Sequence, residues 1–227
     1  MQTEKQSKFL WLSHPLSEDA PMYGGGEGFR RSHLKTISTG DSCNALAIEL
    51  PAHFGSHVDT PLHFLADGKS LIDYSPGDWI FYNIRLLDYE AKPGELITLD
   101  FLTQSTPNKD VDLLLIRSGF ERKRSEAIYW KSNPGMHPES AIHLQEAFPN
   151  ICAIGFDFIS LTSFEHRETG REAHRKYLSR DIRIFEDLTL QSLQAPPQKV
   201  TALPLRINEG DGAPCTILAE MSTNPQG

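Results

Sequence analysis

Unbroken apolar runs mark the predicted strands of this chain. Leu113-Leu114-Leu115-Ile116 carries no polar side chain between Asp112 and Arg117, the pattern of a short strand covered on both faces. Ile151 to Phe156 repeats it, and Trp79 to Leu87 carries Trp, Ile, Phe and Tyr at strand-like density. Ala45 to Leu50, Ile182 to Phe185, Val200 to Ile207 and Thr216 to Glu220 are further extended candidates. Helices are predicted from Pro138 and Glu139 to about Phe148, since Pro is tolerated in a first turn, and over Arg171–Leu178 and Asp187–Leu193. The first 35 residues are rich in Gly and Pro, with Pro21-Met22-Tyr23-Gly24-Gly25-Gly26 an irregular loop. Strands outnumber helices, and helices punctuate the second half. An α/β or α+β domain on one large sheet follows, its strand order left open.

Composition narrows the partners. The 227 residues are 39% hydrophobic and 23% charged with net charge −8, which suits one globular domain spanning 1–227. Lys and Arg are scattered apart from Glu121-Arg122-Lys123-Arg124, so no surface suited to nucleic acid is expected. No run approaches the ~20 apolar residues of a membrane span, and Met1 to Gln6 leads into no apolar signal segment. Cys43, Cys152 and Cys215 are odd in number and far apart, giving neither a CxxC site nor a disulfide framework. A reducing, cytoplasmic setting is expected, with Cys152 a buried small residue.

The chemistry concentrates in His53-Phe54-Gly55-Ser56-His57-Val58-Asp59-Thr60-Pro61-Leu62-His63. Imidazole nitrogen and carboxylate oxygen suit zinc- or manganese-like ions. Residues 53, 57, 59 and 63 share one face of an extended chain, yet a straight strand of ten residues spans about 33 Å. The chain must bend, and Gly55 and Pro61 stand where bends are needed. His14, His33, His137, His143, His166 and His174 lie elsewhere. His174 with Glu186, which follows the apolar pair Ile184-Phe185, is one candidate for distant ligands; His166 with Glu168 is equally defensible from spacing.

The eleven-residue stretch resembles the HxGTHxDxPxH signature of the cyclase / kynurenine formamidase family of metal-dependent hydrolases. Trp11-Leu12-Ser13-His14-Pro15-Leu16, Leu115-Ile116-Arg117-Ser118-Gly119 and Ile154-Gly155-Phe156-Asp157 resemble the family's opening strand, its central strand and the strand before its second ligand pair. Gly170-Arg171-Glu172-Ala173-His174 and Ile184-Phe185-Glu186-Asp187-Leu188 resemble that pair, and Asp211-Gly212-Ala213-Pro214 a turn near the C-terminus. The resemblance implies a mixed-sheet α/β domain of the swivelling β/β/α kind, in a homodimer or higher homo-oligomer. It implies two divalent metal ions, zinc first and manganese second. His53, His57 and Asp59 would hold one ion, Asp59 bridging to a second completed by His174 and Glu186, with Glu186 able to touch both. His63 would transfer protons, and Tyr23 would contact a small-molecule substrate. Ser56 replaces the usual threonine, Tyr23 a tryptophan, and Phe158 to Thr162 a more polar segment; the loop to His174 is longer.

Hydrolysis of an amide-type C–N bond is therefore expected, N-formylkynurenine being the leading substrate and cyclic amides such as isatin the next. Two other classes compete. A non-haem iron oxygenase would use His57, Asp59 and His174 with Arg183 as an oxoacid anchor, but leaves His53, His63 and Glu186 without work. An inactive metal- or ligand-binding relative would not need the full set of six residues.

Overall fold

The two continuous apolar runs lie side by side inside one nine-stranded mixed sheet. The computed structural model describes residues 9–222; Met1 to Gln6, read above for its lack of an apolar run, lies outside them. In chain order the strands are β1 (Phe9–Trp11), β2 (Arg30–Lys35), β3 (Ala45–Glu49), β4 (His57–Asp59), β5 (Ile80–Phe81), β6 (Ile84–Asp88), β7 (Leu96–Ile97), β8 (Leu113–Arg117), β9 (Gly135–Met136), β10 (Ala153–Phe156), β11 (Arg183–Glu186), β12 (Lys199–Pro204) and β13 (Gly212–Glu220). The helices are α1 (Ile128–Lys131), α2 (Ser140–Ala147) and α3 (Arg167–Leu178).

The large sheet has the order β5-β12-β13-β4-β11-β10-β8-β6, with β1 also paired to β13. From β11 to β6 all pairs are parallel. From β4 to β5 all are antiparallel. The three-residue β4 sits at the seam, antiparallel to both β11 and β13.

Alternation explains why the central runs are apolar throughout. Leu114, Ile116, Ile154, Phe156 and Ile184 pack with Leu144 of α2 and Ala173 and Tyr177 of α3. Leu113, Leu115, Ala153 and Phe185 enter a second cluster with Val58, Phe81, Ile217 and Leu12. Both faces of the parallel half are thus covered.

Two expectations are corrected. Trp79 to Leu87 is not one strand: the Asp112 carboxylate accepts from the N–H groups of Tyr82 and Asn83, and the chain divides there into β5, on β12, and β6, on β8. Asp187–Leu193 is not helical. Leu188 N–H donates to Phe156 O and Thr189 N–H to Leu12 O, while the Glu121 carboxylate takes the N–H groups of Leu190 and Gln191, so long-range acceptors claim the donors a helix would use. Within the Gly- and Pro-rich first 35 residues, 21–26 are irregular as expected, and β1 and β2 form on either side of them. Ala45 to Leu50 is extended as expected, as β3, which pairs only with β2 in a separate hairpin. The two longer helices form nearly as expected, α2 starting at Ser140 and α3 one turn earlier, at Arg167.

Candidate metal centre

The histidine stretch bends at the two residues singled out for it. Gly55 adopts φ +64, a conformation that favours glycine, and its carbonyl accepts from His57 Nδ1 at 2.8 Å. Pro61 opens a single 3-10 turn, Pro61–His63, which returns His63 to stack on His53 with ring centroids 3.8 Å apart. Between the bends, β4 presents His57 and Asp59 on one face. Its register sets His57 opposite Glu186 of β11 and Asp59 opposite Gly212 of β13. Helix α3 supplies His174, whose Nδ1 lies 2.9 Å from Gly170 O and 3.1 Å from Thr162 Oγ1.

With Nδ1 of His57 and His174 engaged by backbone carbonyls, each Nε2 faces inward. His57 Nε2 is 3.4 Å from Asp59 Oδ1 and 3.3 Å from Glu186 Oε2. His174 Nε2 is 3.4 Å from Asp59 Oδ2 and 3.5 Å from Glu186 Oε1. Charge-assisted hydrogen bonds are shorter, about 2.7–2.9 Å. Donor atoms about 2.0–2.1 Å from one tetrahedral ion, however, lie about 3.3 Å from each other. The donor set and its spacing fit divalent cations. Three overlapping groups keep their ligand atoms within 4.8 Å: His53-His57-Asp59 and Asp59-His174-Glu186, which share Asp59, and the more exposed His53-His63-Asp211. The sequence pair His174 and Glu186 thus joins the cluster. His166 and Glu168 do not: Glu168 pairs with Arg171 on the surface.

Four of these side chains are nearly inaccessible, at 4% for His57, 1% for Asp59, 2% for His174 and 3% for Glu186. Burial lowers an imidazole pKa and raises a carboxylate's, but here the partners outweigh it. Against burial, hydrogen bonds to Asp211 and Asp59 bring His53 up to about 9. Bonds to Asp59 and Glu186 bring His174 up to about 9 and hold His57 well above its ordinary range. Asp59, against its burial, is held well below the carboxylate range by His174 and His53. Glu186 is lowered by His174 and His57 against burial and the Asp59 charge; its Oε1 also accepts from Leu161 N–H at 2.7 Å. His63 goes the other way: burial outweighs Asp59 and leaves its pKa lowered, so it is the neutral imidazole of the group.

A cavity of about 270 Å³ opens over these groups, walled by Tyr23, Phe64, Ile159, Arg167 and Arg171. Tyr23 stands edge-on to Phe164 with centroids 5.6 Å apart, and its buried hydroxyl has no hydrogen-bond partner. Phe64 stacks on His174 at 4.5 Å. Ser56 takes up the threonine position through its hydroxyl, which donates to Asp187 O at 2.5 Å and accepts from His14 N–H at 2.8 Å. Arg183, the oxoacid anchor of the oxygenase reading, is buried elsewhere: it donates to the carbonyls of Cys152 and Asp78 and stacks on Trp79. The Cys152 thiol is raised by burial, against a nucleophilic role.

Sequence reasoning missed Asp211 as a site residue. Its Oδ2 lies 2.9 Å from both His53 Nε2 and His63 Nδ1, a neighbourhood created by pairing of β13 with β4. It also missed Phe64, Arg167 and Arg171. The first directly follows His63 and the last lies three residues before His174, so proximity in sequence was the available signal.

A profile of the putative cyclase family matches residues 10–163. The chain is similar to the kynurenine formamidase of Bacillus anthracis, 26% identical over 219 residues, with 92% of this chain and 96% of the relative covered. The kynurenine formamidase of Bordetella avium is 24% identical over 216 residues, with 94% and 99% covered. Among solved structures, isatin hydrolase A from Labrenzia aggregata bound to benzyl benzoate superposes with TM-score 0.78 at 22% identity, covering 94% of this chain and 93% of that one. Isatin hydrolase A from Ralstonia solanacearum gives TM-score 0.80 at 20% identity, covering 94% and 92%. These structural likenesses establish the mixed α/β fold.

Proposed function

The chain belongs to the cyclase family, and on that premise we propose that it is a metal-dependent hydrolase cleaving the amide C–N bond of a small molecule. The observation that carries the reading is the ring of four donor–donor distances between 3.3 and 3.5 Å joining His57 and His174 to Asp59 and Glu186. His53, His57 and Asp59 hold one divalent ion; Asp59, His174 and Glu186 hold a second. Zinc is the ion of first choice and manganese the second, both suited to nitrogen and carboxylate donors. When bound, such ions lower the pKa of water and polarise a carbonyl oxygen.

The chain's own residues supply the rest. His63, neutral at pH 7 and at the cavity wall, takes a proton from the attacking water and returns it to the departing nitrogen. Phe64 and Ile159 provide apolar walls for an aromatic ring. Arg167, Arg171 and the unpartnered Tyr23 hydroxyl offer donors to an anionic group, since a buried polar atom without a partner is costly until a ligand satisfies it. That favours N-formylkynurenine, which carries a carboxylate, over uncharged isatin. Hydrolysis assays with both compounds and added zinc or manganese test the reading. Faster turnover of N-formylkynurenine supports it, and activity requiring oxygen and 2-oxoglutarate overturns it.

The working unit in this reading is a homodimer. Trp11, Ile48, Leu203 and Leu205 line a groove of about 590 Å³ beside the exposed β2–β3 hairpin, and a two-stranded hairpin is marginal alone in water. A second copy of the chain covers that surface; light scattering measures it. No helix among the described residues is long and apolar enough to cross a membrane. Cys43, Cys152 and Cys215 are all unbridged, which suits the cytoplasm.

A further inference from the structure

Asp211 stands at the entrance to β13, one residue before Gly212 pairs with Asp59. Its carbonyl accepts from Thr60 N–H and from Thr60 Oγ1, each at 2.9 Å, so the turn is tied to the residue that follows Asp59. Gly212 has no space for a side chain, because a Cβ there would lie 2.4 Å from His53 Cε1. Backbone and neighbour thus hold the carboxylate against two imidazoles. One oxygen, Oδ2, accepts from His53 Nε2 and from His63 Nδ1, each at 2.9 Å. An ionised carboxylate only accepts, so both facing nitrogens carry hydrogen.

We propose that Asp211 is a positioning residue that gives the two stacked histidines their different tasks. By holding Nε2–H of His53, it turns Nδ1 of that ring toward Asp59, where it lies 2.7 Å from Oδ1 and within the first ion-binding group. By holding Nδ1–H of His63, it leaves Nε2, which has no hydrogen-bond partner among the described residues, as the basic atom. Without this acceptor, the neutral imidazole of His63 favours hydrogen on Nε2 and presents a donor where the reaction needs a base. What His63 does rests on the hydrolase reading; how the two rings are held does not.

The side chain of Asp211 is 40% exposed, so Asp211→Asn is expected to fold, which thermal melting checks. Its amide keeps the shape and loses the obligatory acceptor. In zinc-loaded protein with 15N-labelled histidine, wild-type His63 should show hydrogen on Nδ1, and Asp211→Asn should show it on Nε2 or divided between the two. Turnover of N-formylkynurenine should drop about 10²- to 10⁴-fold, as when the acceptor behind a catalytic histidine is amidated, with KM changed by less than about twofold. Zinc affinity should weaken about 10- to 100-fold, the usual cost of losing an outer partner of a ligand histidine. At saturating zinc in a His63→Ala background, the same change should cost far less turnover than in the wild type, leaving only the share that passes through His53. An unchanged His63 nitrogen spectrum in Asp211→Asn, or an equal loss of turnover in the His63→Ala background, overturns the proposal. Should the wild-type protein hydrolyse none of the substrates offered, the hydrolase reading fails while the nitrogen spectrum still decides the role of Asp211.

Discussion

Strand β4 and the β2–β3 hairpin each invert the ordinary rule of what a protein buries. Around β4, two carboxylates and two imidazoles are almost wholly excluded from water. In the hairpin, Leu34, Leu46 and Ile48 are 68%, 49% and 55% exposed. Buried charge is costly unless paired or coordinated, and clustered exposed apolar side chains mark contact surfaces. In the proposed reading a cation would compensate the first of these exceptions and a second copy of the chain would cover the other. The difference between them is rigidity. Every donor at β4 has a second partner fixing its direction, whereas the hairpin touches the large sheet through no strand pairing.

Removing the shared carboxylate breaks the comparison hardest. Asp59→Ala should abolish ion binding and activity, because both of the proposed ion sites use that residue and three raised imidazoles lose their counter-charge; elemental analysis of the purified variant measures it. His63→Ala should keep the ions and lose about 10²- to 10⁴-fold in turnover, the range typical of a general acid–base group. Near-normal rates would remove His63 from the mechanism.

Proton linkage sharpens the β4 side. His53 and His174, raised to about 9, hold protons at pH 7 that an ion must expel. Ion affinity should therefore fall as pH drops below about 9, and calorimetry in buffers of different ionisation enthalpy should register proton release. The sign for stability is opposite in the ion-free protein. A raised imidazole pKa stabilises fully below about 6.5 and loses that contribution as pH rises through about 9. Ion-free protein should thus melt at lower temperature at pH 9.5 than at pH 7, and loaded protein should not follow. On the hairpin side, Ile48→Glu should convert dimer to monomer in light scattering, with the ion content unchanged. The smallest effect is Ser56→Ala, which leaves Asp187 O and His14 N–H short of a partner and should cost about 1–3 kcal/mol in denaturant unfolding.

Much of the site was legible because it is local. His53 to His63 carries its own bends, and Gly55 and Pro61 act where their chemistry said they would. The strand of Leu113 to Ile116 was legible for a similar reason, since each residue reports its own burial. What could not be read depends on partners far along the chain. Asp211 meets His53 only because β13 pairs with β4, and no spacing encodes that. The segment after Glu186 has helix-compatible composition, yet Glu121, Phe156 and Leu12 take its N–H donors. Trp79 to Leu87 failed likewise, its apolar density uniform while Asp112 divides it.

Anomalous diffraction from crystals grown with zinc tests the central claim most directly. Two peaks about 3.5–4 Å apart, the usual separation in paired-metal sites, are predicted, with Asp59 touching both, His53 and His57 on one and His174 and Glu186 on the other. Crystals soaked at millimolar zinc with no anomalous peak among these side chains would contradict it.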